Sequence, residues 1–456
     1  MNERTVPRSI GVVVASALAL AFARALPSQQ PPSQQPVLQR PQPRGVLPLP
    51  DYSGDWMTRQ ALTGDWNGER QNWAEYGLTA DATLTQYGQG IGTGGTDSEW
   101  AFGGAFDVVT RADLERMQML DGALLTLRAE SRYGDSVNTK SGLLLPVNMQ
   151  MSLPITDTPD EDVVIAITEL NFSRDLGDGI SVLFGKVQNG DLDPNEFASG
   201  RGRTQFMDFA FVQNPVVART VPYSTLAVGG SWQPAKDTTV TTMLANLDDS
   251  STTSGFEDIG DGAVVIAEAD FQWPGTLPGG VNVGGTYAFD GDFTKLGDKL
   301  QFSPGATPTL RTDEESWSVY GSAWQYMAVR SKVPDRIDPK DGRPDVEGYG
   351  WFTRFGMADR DTNPIDWSLS FGIGGRGTVG GRTDDGYGFG WFYSDLQQPR
   401  PLLVSLLADH TSGFEAWYDF ALARSTSVTV DAQWVDSAFH GINDAFILGF
   451  RFSARL

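Results

Sequence analysis

Hydrophobic and polar residues alternate along most of the chain from about residue 78 onward. In 124–133, Leu125, Leu127, Ala129 and Tyr133 fall on one face and Thr126, Arg128, Glu130 and Arg132 on the other. In 264–273, Val265, Ala267, Ala269, Phe271 and Trp273 oppose Glu268, Asp270 and Gln272. Phe414, Ala416, Tyr418, Phe420 and Leu422 oppose Glu415, Trp417 and Asp419; Val428, Val430, Ala432 and Trp434 oppose Thr429, Asp431 and Gln433. A period of two marks β-strands with one face toward apolar surroundings and the other toward water. Strands are predicted near 78–88, 100–112, 123–133, 163–175, 180–187, 205–213, 224–233, 238–247, 263–273, 281–289, 316–329, 347–358, 367–377, 386–394, 412–423, 427–435 and 445–455. The weakest is 205–213, which runs into Pro215. Taken as part of a long connection, it leaves about sixteen, an even number such as single-chain bacterial barrels carry.

Long connections (134–162, 188–223, 248–262, 290–315, 395–411) separate short ones (176–179, 234–237, 274–280, 424–426). The exception is 330–346, long for a short-side turn. Long on one side and short on the other is the pattern of a transmembrane barrel. The last strand agrees. Phe446, Leu448, Phe450, Phe452, Ala454 and Leu456 take every second position, with Ile447, Gly449, Arg451, Ser453 and Arg455 between them. A strand that alternates to its last residue fits closure by pairing with the first strand. Trp232, Trp273 and Tyr393 stand at strand ends, where interfacial girdles sit. A soluble sandwich also alternates, but without this charge on the polar face or these aromatic ends. The expected fold is all-β: a transmembrane antiparallel β-barrel of about sixteen strands, with a short N-terminal helix.

The N-terminal region reads differently. Arg4 and Arg8 form a basic start, and Ile10 to Phe22 an apolar stretch too short for a bilayer-spanning helix, which needs about 20 residues. Ala21-Phe22-Ala23 and Ala23-Arg24-Ala25 are small-x-small cleavage sites. Residues 1–25 are therefore expected to be a secretory signal peptide. Residues 26–50, rich in Pro and Gln, are expected to be a disordered spacer. Residues 51–77 read as a helical segment: Asp65 can cap a helix over 66–76, and Gly77 suits the position just past its end. Residues 78–456 form the expected barrel domain.

Composition narrows the function. Hydrophobic residues make up 40% of the 456 and mean hydropathy is −0.26, far too polar for a helical membrane protein but right for a barrel, where only every second strand residue meets lipid. A net charge of −23 argues against nucleic acid as a partner, since phosphates need a basic surface. The absence of Cys excludes disulfides, thiol catalysis and Cys-based zinc sites. The only histidines, His410 and His440, fall in predicted loops and are too far apart for a His-based metal motif. No metal and no cofactor is expected.

The run Leu62-Thr63-Gly64-Asp65-Trp66-Asn67-Gly68-Glu69-Arg70, followed by Trp73-Ala74-Glu75-Tyr76-Gly77-Leu78, resembles the opening segment of the OprB-type carbohydrate-selective porins. That family has an LTGDWxGxR run, a short helix, Gly and then the first strand. Gly348 to Arg354, Asn363-Pro364, Gly381-Arg382-Thr383-Asp384-Asp385-Gly386-Tyr387-Gly388 and Glu415 to Tyr418 also look similar. The resemblance covers roughly 60–456, with a weaker middle. The chain departs from the family by ending in Leu456 rather than Phe and by its long Pro/Gln spacer. The resemblance implies an outer-membrane porin that passes sugars or other small hydrophilic solutes without catalysis. Its other partners would be outer-membrane lipid and the barrel-assembly machinery.

A lumen that favours sugars needs carboxylates and guanidiniums for hydroxyls and aromatic faces for stacking. Candidates on inward faces are Arg128, Glu130, Arg132, Glu169, Asn171, Glu268, Asp270, Arg354, Glu415, Asp419, Asp431 and Arg451, with Trp417 as the aromatic. The alternative for each is that lumen charges pair with one another and stiffen the wall. Arg128 and Arg132 are expected in the outer half of the pore, because the long 134–162 connection follows them. Arg382, Asp384 and Asp385 read equally well as a structural turn. Rival functions are a general or ion-preferring porin, an outer-membrane lipid hydrolase using His410 or His440, and a secreted β-rich binding protein. No serine–histidine motif supports the hydrolase.

Overall fold

The structure is a computed structural model that describes residues 45–158, 161–190, 194–296, 311–337, 344–397 and 407–456. The expected signal peptide and most of the expected spacer lie outside these residues. The strands are β1 (Leu78–Gly95), β2 (Trp100–Asp113), β3 (Ala123–Gly134), β4 (Val163–Gly177), β5 (Ile180–Gln188), β6 (Ser224–Ala235), β7 (Thr238–Asn246), β8 (Ala263–Trp273) and β9 (Gly279–Phe289). After the two-residue β10 (Phe293–Thr294) and β11 (Thr312–Asp313) come β12 (Ser316–Ile337), β13 (Pro344–Ala358), β14 (Ile365–Arg376), β15 (Gly386–Leu396), β16 (His410–Ala423), β17 (Thr426–Val435) and β18 (Asn443–Arg455). Among the described residues sixteen of these close a barrel, each paired antiparallel with its sequence neighbour, while β10 and β11 pair separately. The closing pair is β1 with β18, from Thr83 opposite Arg455 to Gly95 opposite Asn443.

The alternation reports the barrel's inside and outside. Val265, Phe271 and Trp273 on β8, Phe414, Phe420 and Leu422 on β16, and Phe446, Leu448 and Phe450 on β18 are exposed on the outer surface, where lipid would cover them. Their neighbours Glu415, Trp417, Ile447 and Arg451 are buried inside. Trp232 and Trp273 mark the short-turn rim. Trp100, Trp317, Trp367 and Tyr393 mark the long-loop rim, where Trp367 stacks on Tyr393 at 4.9 Å.

Several boundaries differ from expectation. Residues 205–213 are not a strand: Phe209–Val212 is one helical turn capped by Asp208, whose carboxylate accepts from the Ala210 N–H at 2.8 Å. The stretch is apolar because it is buried in the lumen, not because it faces lipid. Much of the long connection expected at 330–346 is strand, because β12 runs to Ile337 and β13 starts at Pro344; 338–343 lie outside the described residues. His410, expected in a loop, opens β16. The N-terminal helix begins at Glu69 rather than 66. Trp66, Asn67 and Gly68 all have positive φ, so Asp65 makes a turn to the Asn67 N–H (3.1 Å) instead of capping the helix. Gly77, at φ 114, ends the helix as its sequence position suggests. Residues 45–50, counted with the spacer, lie against β2: the Leu47 N–H donates to Asp113 at 3.0 Å, and Arg116 donates to the Leu47 carbonyl at 2.7 Å.

Candidate functional site: the loop-filled lumen

Among the described residues two long connections fill much of the lumen. The first, 135–162, places Val147, Met149, Met151 and Leu153 in the interior. Gln433 of β17 donates to the Val147 carbonyl (3.1 Å), and Asn148 donates to Gln89 of β1 (2.8 Å). The second, 189–223, crosses the lumen and touches walls on opposite sides. Asn195 donates to Ser322 of β12 (2.8 Å), Asn214 to the Phe355 carbonyl of β13 (3.0 Å), and Tyr87 of β1 to the Gly202 carbonyl (3.2 Å).

Aromatic packing holds this inner loop. Phe206 stacks on Phe211 (4.6 Å) and meets Phe352 and Trp417 edge-on, while Phe211 meets Phe392 and Phe197 meets Tyr326. The wall makes room with inward glycines. A Cβ at Gly390 would lie 2.5 Å from the Phe211 ring, and one at Gly350 would lie 2.6 Å from Phe197. Loop and wall therefore interdigitate as a protein interior does.

The thirteen candidates from the sequence all face inward, and they fall into three groups. Arg354, Glu415, Trp417, Asp431 and Arg451 grip or back the inner loop. Arg354 donates to the Ala198 and Phe211 carbonyls. Arg451 donates to the Gly202 (2.7 Å) and Gln205 (3.0 Å) carbonyls and to Thr429 (2.9 Å). Glu415 accepts from the Met207 (2.6 Å) and Asp208 (3.0 Å) N–H groups. Asp431 accepts from Gln433 at 2.9 Å.

Arg128, Glu130, Arg132, Glu169 and Asn171 form a second group on β3 and β4. Arg128 donates to Asp107 of β2 at 2.8 Å and lies 3.2 Å from Glu169, which accepts from Asn171 at 2.8 Å. Glu130 accepts from Arg201 of the inner loop and from the Tyr223 hydroxyl (2.6 Å). Burial pushes the Tyr223 phenol well above its ordinary value, which keeps it a donor. Arg201 and Arg203 also approach Asp107, at 3.4 and 3.3 Å. Arg132 donates to the Met151 (3.0 Å) and Glu161 (2.9 Å) carbonyls and to Thr156 (3.0 Å). Arg128 and Arg132 thus meet carboxylates and loop carbonyls rather than open lumen.

Glu268, Asp270 and Asp419 form the third group, each partly accessible to water. Glu268 accepts from the Tyr320 hydroxyl of β12 (2.7 Å), Asp270 from Gln272 (2.8 Å) and Asp419 from Thr429 (2.6 Å). The Arg382–Asp385 pair (2.5 Å) lies in the β14–β15 turn, where Asp385 also accepts from Tyr418 (2.8 Å) and the Ala421 N–H (3.0 Å). This is the structural reading of that run.

Sequence reasoning missed Asp107, Arg201, Arg203, Asp208 and Tyr223, together with the loop aromatics. Asp107 sits in the inward register of β2 and could have been found there. The others lie in a connection with no periodicity to read, and its length was the only signal. His410 approaches Asp436 (3.4 Å) and stacks on Tyr393 at the rim (5.3 Å), while His440 lies in the last long-side turn. Among the described residues Asp248, Asp258 and Asp261 bring carboxylates together on the β7–β8 connection, facing solvent, with no further sign of a ligand.

A closed sixteen-strand barrel with a lipid-compatible outside, a charged inside and inward-folded long loops defines an outer-membrane porin. A family profile described as "Carbohydrate-selective porin, OprB family" matches residues 100–456, and the chain belongs to that family. Its fold and family are those of a channel. Among solved structures it is similar to Pseudomonas putida OprB at high pH (TM-score 0.72, 18% identity, covering 88% of this chain and 100% of that one). It is also similar to the same organism's OprB at low pH (TM-score 0.53, 15% identity, covering 88% of this chain and 99% of that one). No curated protein sequence matches significantly.

Proposed function

We propose that small carbohydrates and related hydrophilic solutes diffuse passively along the wall formed by β5–β9 and β12. The supporting observation is the asymmetry of the lumen. Inner-loop contacts bury large charged side chains of the opposite wall, such as Arg354, Glu415 and Arg451, whereas Glu268, Asp270, Gln272 and Tyr320 keep solvent access. Carboxylates there accept hydroxyl protons from a sugar, and the Tyr320 ring offers a face for its C–H groups. Each contact is weak, so a solute that enters can leave. The outer surface takes membrane lipid, and insertion relies on the barrel-assembly machinery.

Glu268→Gln with Asp270→Asn should weaken sugar block of the ion current and reduce cation preference, because fixed negative charge is lost from the wall. Planar-bilayer recordings with a sugar panel and reversal potentials measure both. Unchanged sugar block in a folded barrel would remove this wall from the pathway. Absence of block in the unmodified protein would favour a general diffusion pore.

A further inference from the structure

The inner loop is fixed to the β16–β17 wall by an unusual set of groups. Glu415 (1% exposed) accepts the N–H groups of both Met207 and Asp208. Its carboxyl also hydrogen-bonds that of Asp431, and two carboxyl groups can share a hydrogen bond only if one carries a proton. The Asp208 carboxyl is buried beside this pair and interacts electrostatically with both partners. One Asp208 oxygen accepts from the Ala210 N–H; the other, Oδ2, has no partner. Gln433 Oε1, also buried, has none either. Both are acceptors, and a proton on the Asp208 carboxyl would give the cluster a donor that it otherwise lacks.

The groups facing the cluster are few. From β18 comes Arg451, whose donors go to the Gly202 and Gln205 carbonyls and to Thr429. From β17 comes Gln433. From the 135–162 connection comes the Val147 carbonyl, and from β1 comes Gln89, beside Met207. The loop's own cations, Arg201 and Arg203, are engaged with Asp107 and Glu130. Three carboxyls therefore share one nearby guanidinium.

We propose that Asp208, Glu415 and Asp431 form a proton-operated latch, which holds the inner loop across the lumen while the cluster is protonated and releases it as the cluster ionises. With protons bound, Glu415 keeps its two backbone donors and the remaining carboxyls are neutral. With protons lost, like charges face each other in a buried pocket and the 206–212 segment is pushed from the wall. Burial, partly opposed by the Ala210 N–H, raises the Asp208 carboxyl from 3.8 to about 7. A released carboxyl returns to its ordinary value. The contribution of Asp208 to the latch is therefore at full strength below 3.8, weakens as pH rises toward about 7, and changes no further above it. Release of the loop widens the lumen, so conductance is larger on the neutral side and smaller in acid.

The proposal rests on the porin reading, so its test includes an arm that needs no conduction. In planar bilayers, single-channel conductance of the full barrel should be lower near pH 4 and rise as pH approaches about 7. Asp208→Asn mimics the protonated acid and should lower conductance at neutral pH and flatten the profile, leaving the smaller part due to Glu415 and Asp431. Asp431→Asn should narrow the pH-dependent window. In parallel, hydrogen exchange should show the Met207 and Asp208 amides losing protection, relative to β16 amides, over the same window. That loss should be smaller in Asp208→Asn. A conductance and exchange profile independent of pH would overturn the latch, as would Asp208→Asn or Asp431→Asn retaining the unmodified profile. pH-dependent exchange without measurable conductance would uphold the latch and sink the pore reading instead.

Discussion

Arg201 shows what a single residue does inside this barrel. It is fully buried, in a left-handed backbone conformation (φ 57), and donates to Glu130 and Tyr223 while approaching Asp107. Of these partners Glu130 was legible in the sequence, because strand alternation turns it inward. Arg201 was not, because a loop has no period that tells inside from outside. Removing one member of a buried ion network strands the others without compensation, at a cost of about 3–5 kcal/mol. Here that cost falls on the inner loop, since the β2–β3–β4 ladder is held by its own backbone bonds. Arg201→Gln should therefore raise mean conductance and current noise while leaving the heat-dependent gel shift of the barrel intact. A barrel that no longer runs as folded would show that Arg201 supports the wall itself.

At the scale of elements, strands were readable and inward loops were not. Each barrel strand owes its existence to a local alternation that its two environments, lipid and lumen, impose on every second residue. The 189–223 connection owes its shape to residues far away in sequence, such as Arg354 and Arg451, which reach its carbonyls. Its run Phe206-Met207-Asp208-Phe209-Ala210-Phe211-Val212 was apolar enough to pass for a strand, and only its burial among Phe352, Phe392 and Trp417 explains it. The register of β18 makes the strand reading testable. Phe450 is 41% exposed on the lipid side at mid-strand, and Ser453 faces in. Phe450→Arg places a charge near the membrane midplane at about 2–4 kcal/mol and should deplete folded barrel in outer-membrane fractions. Ser453→Asn should not. Equal tolerance of both would contradict the register.

The whole molecule depends on a seam that no neighbouring hairpin turn supports: β1 meets β18, the two strands farthest apart in sequence. The residue that ends the LTGDWxGxR run sits across it. Arg70, in the N-terminal helix and 2% exposed, donates to the Ala80 carbonyl (2.7 Å) and to Asp81 (2.9 Å) of β1, and to the Leu456 carbonyl (3.0 Å) beyond β18. Its guanidinium lies 3.8 Å over the Tyr52 ring, and Tyr52 in turn donates to Asp81 at 3.0 Å. The Leu62 N–H donates to the Arg455 carbonyl (2.7 Å), so the helical segment as a whole fastens both ends of the barrel. The motif was legible as a family mark, but its physical task needed the closed barrel to be seen. Hydrogen bonds from a charged donor contribute about 1.5–3 kcal/mol each, and a lysine can reach one of these acceptors but lacks the fork and the stacking plane. Arg70→Ala should lower the temperature at which the barrel converts to its unfolded gel mobility. Arg70→Lys should fall between it and the unmodified protein. Sugar block should be unchanged in both, because Arg70 lies at the short-turn end and outside the β5–β9 and β12 wall. An Arg70→Ala barrel that unfolds at the unmodified temperature would mean that backbone pairing alone closes the seam.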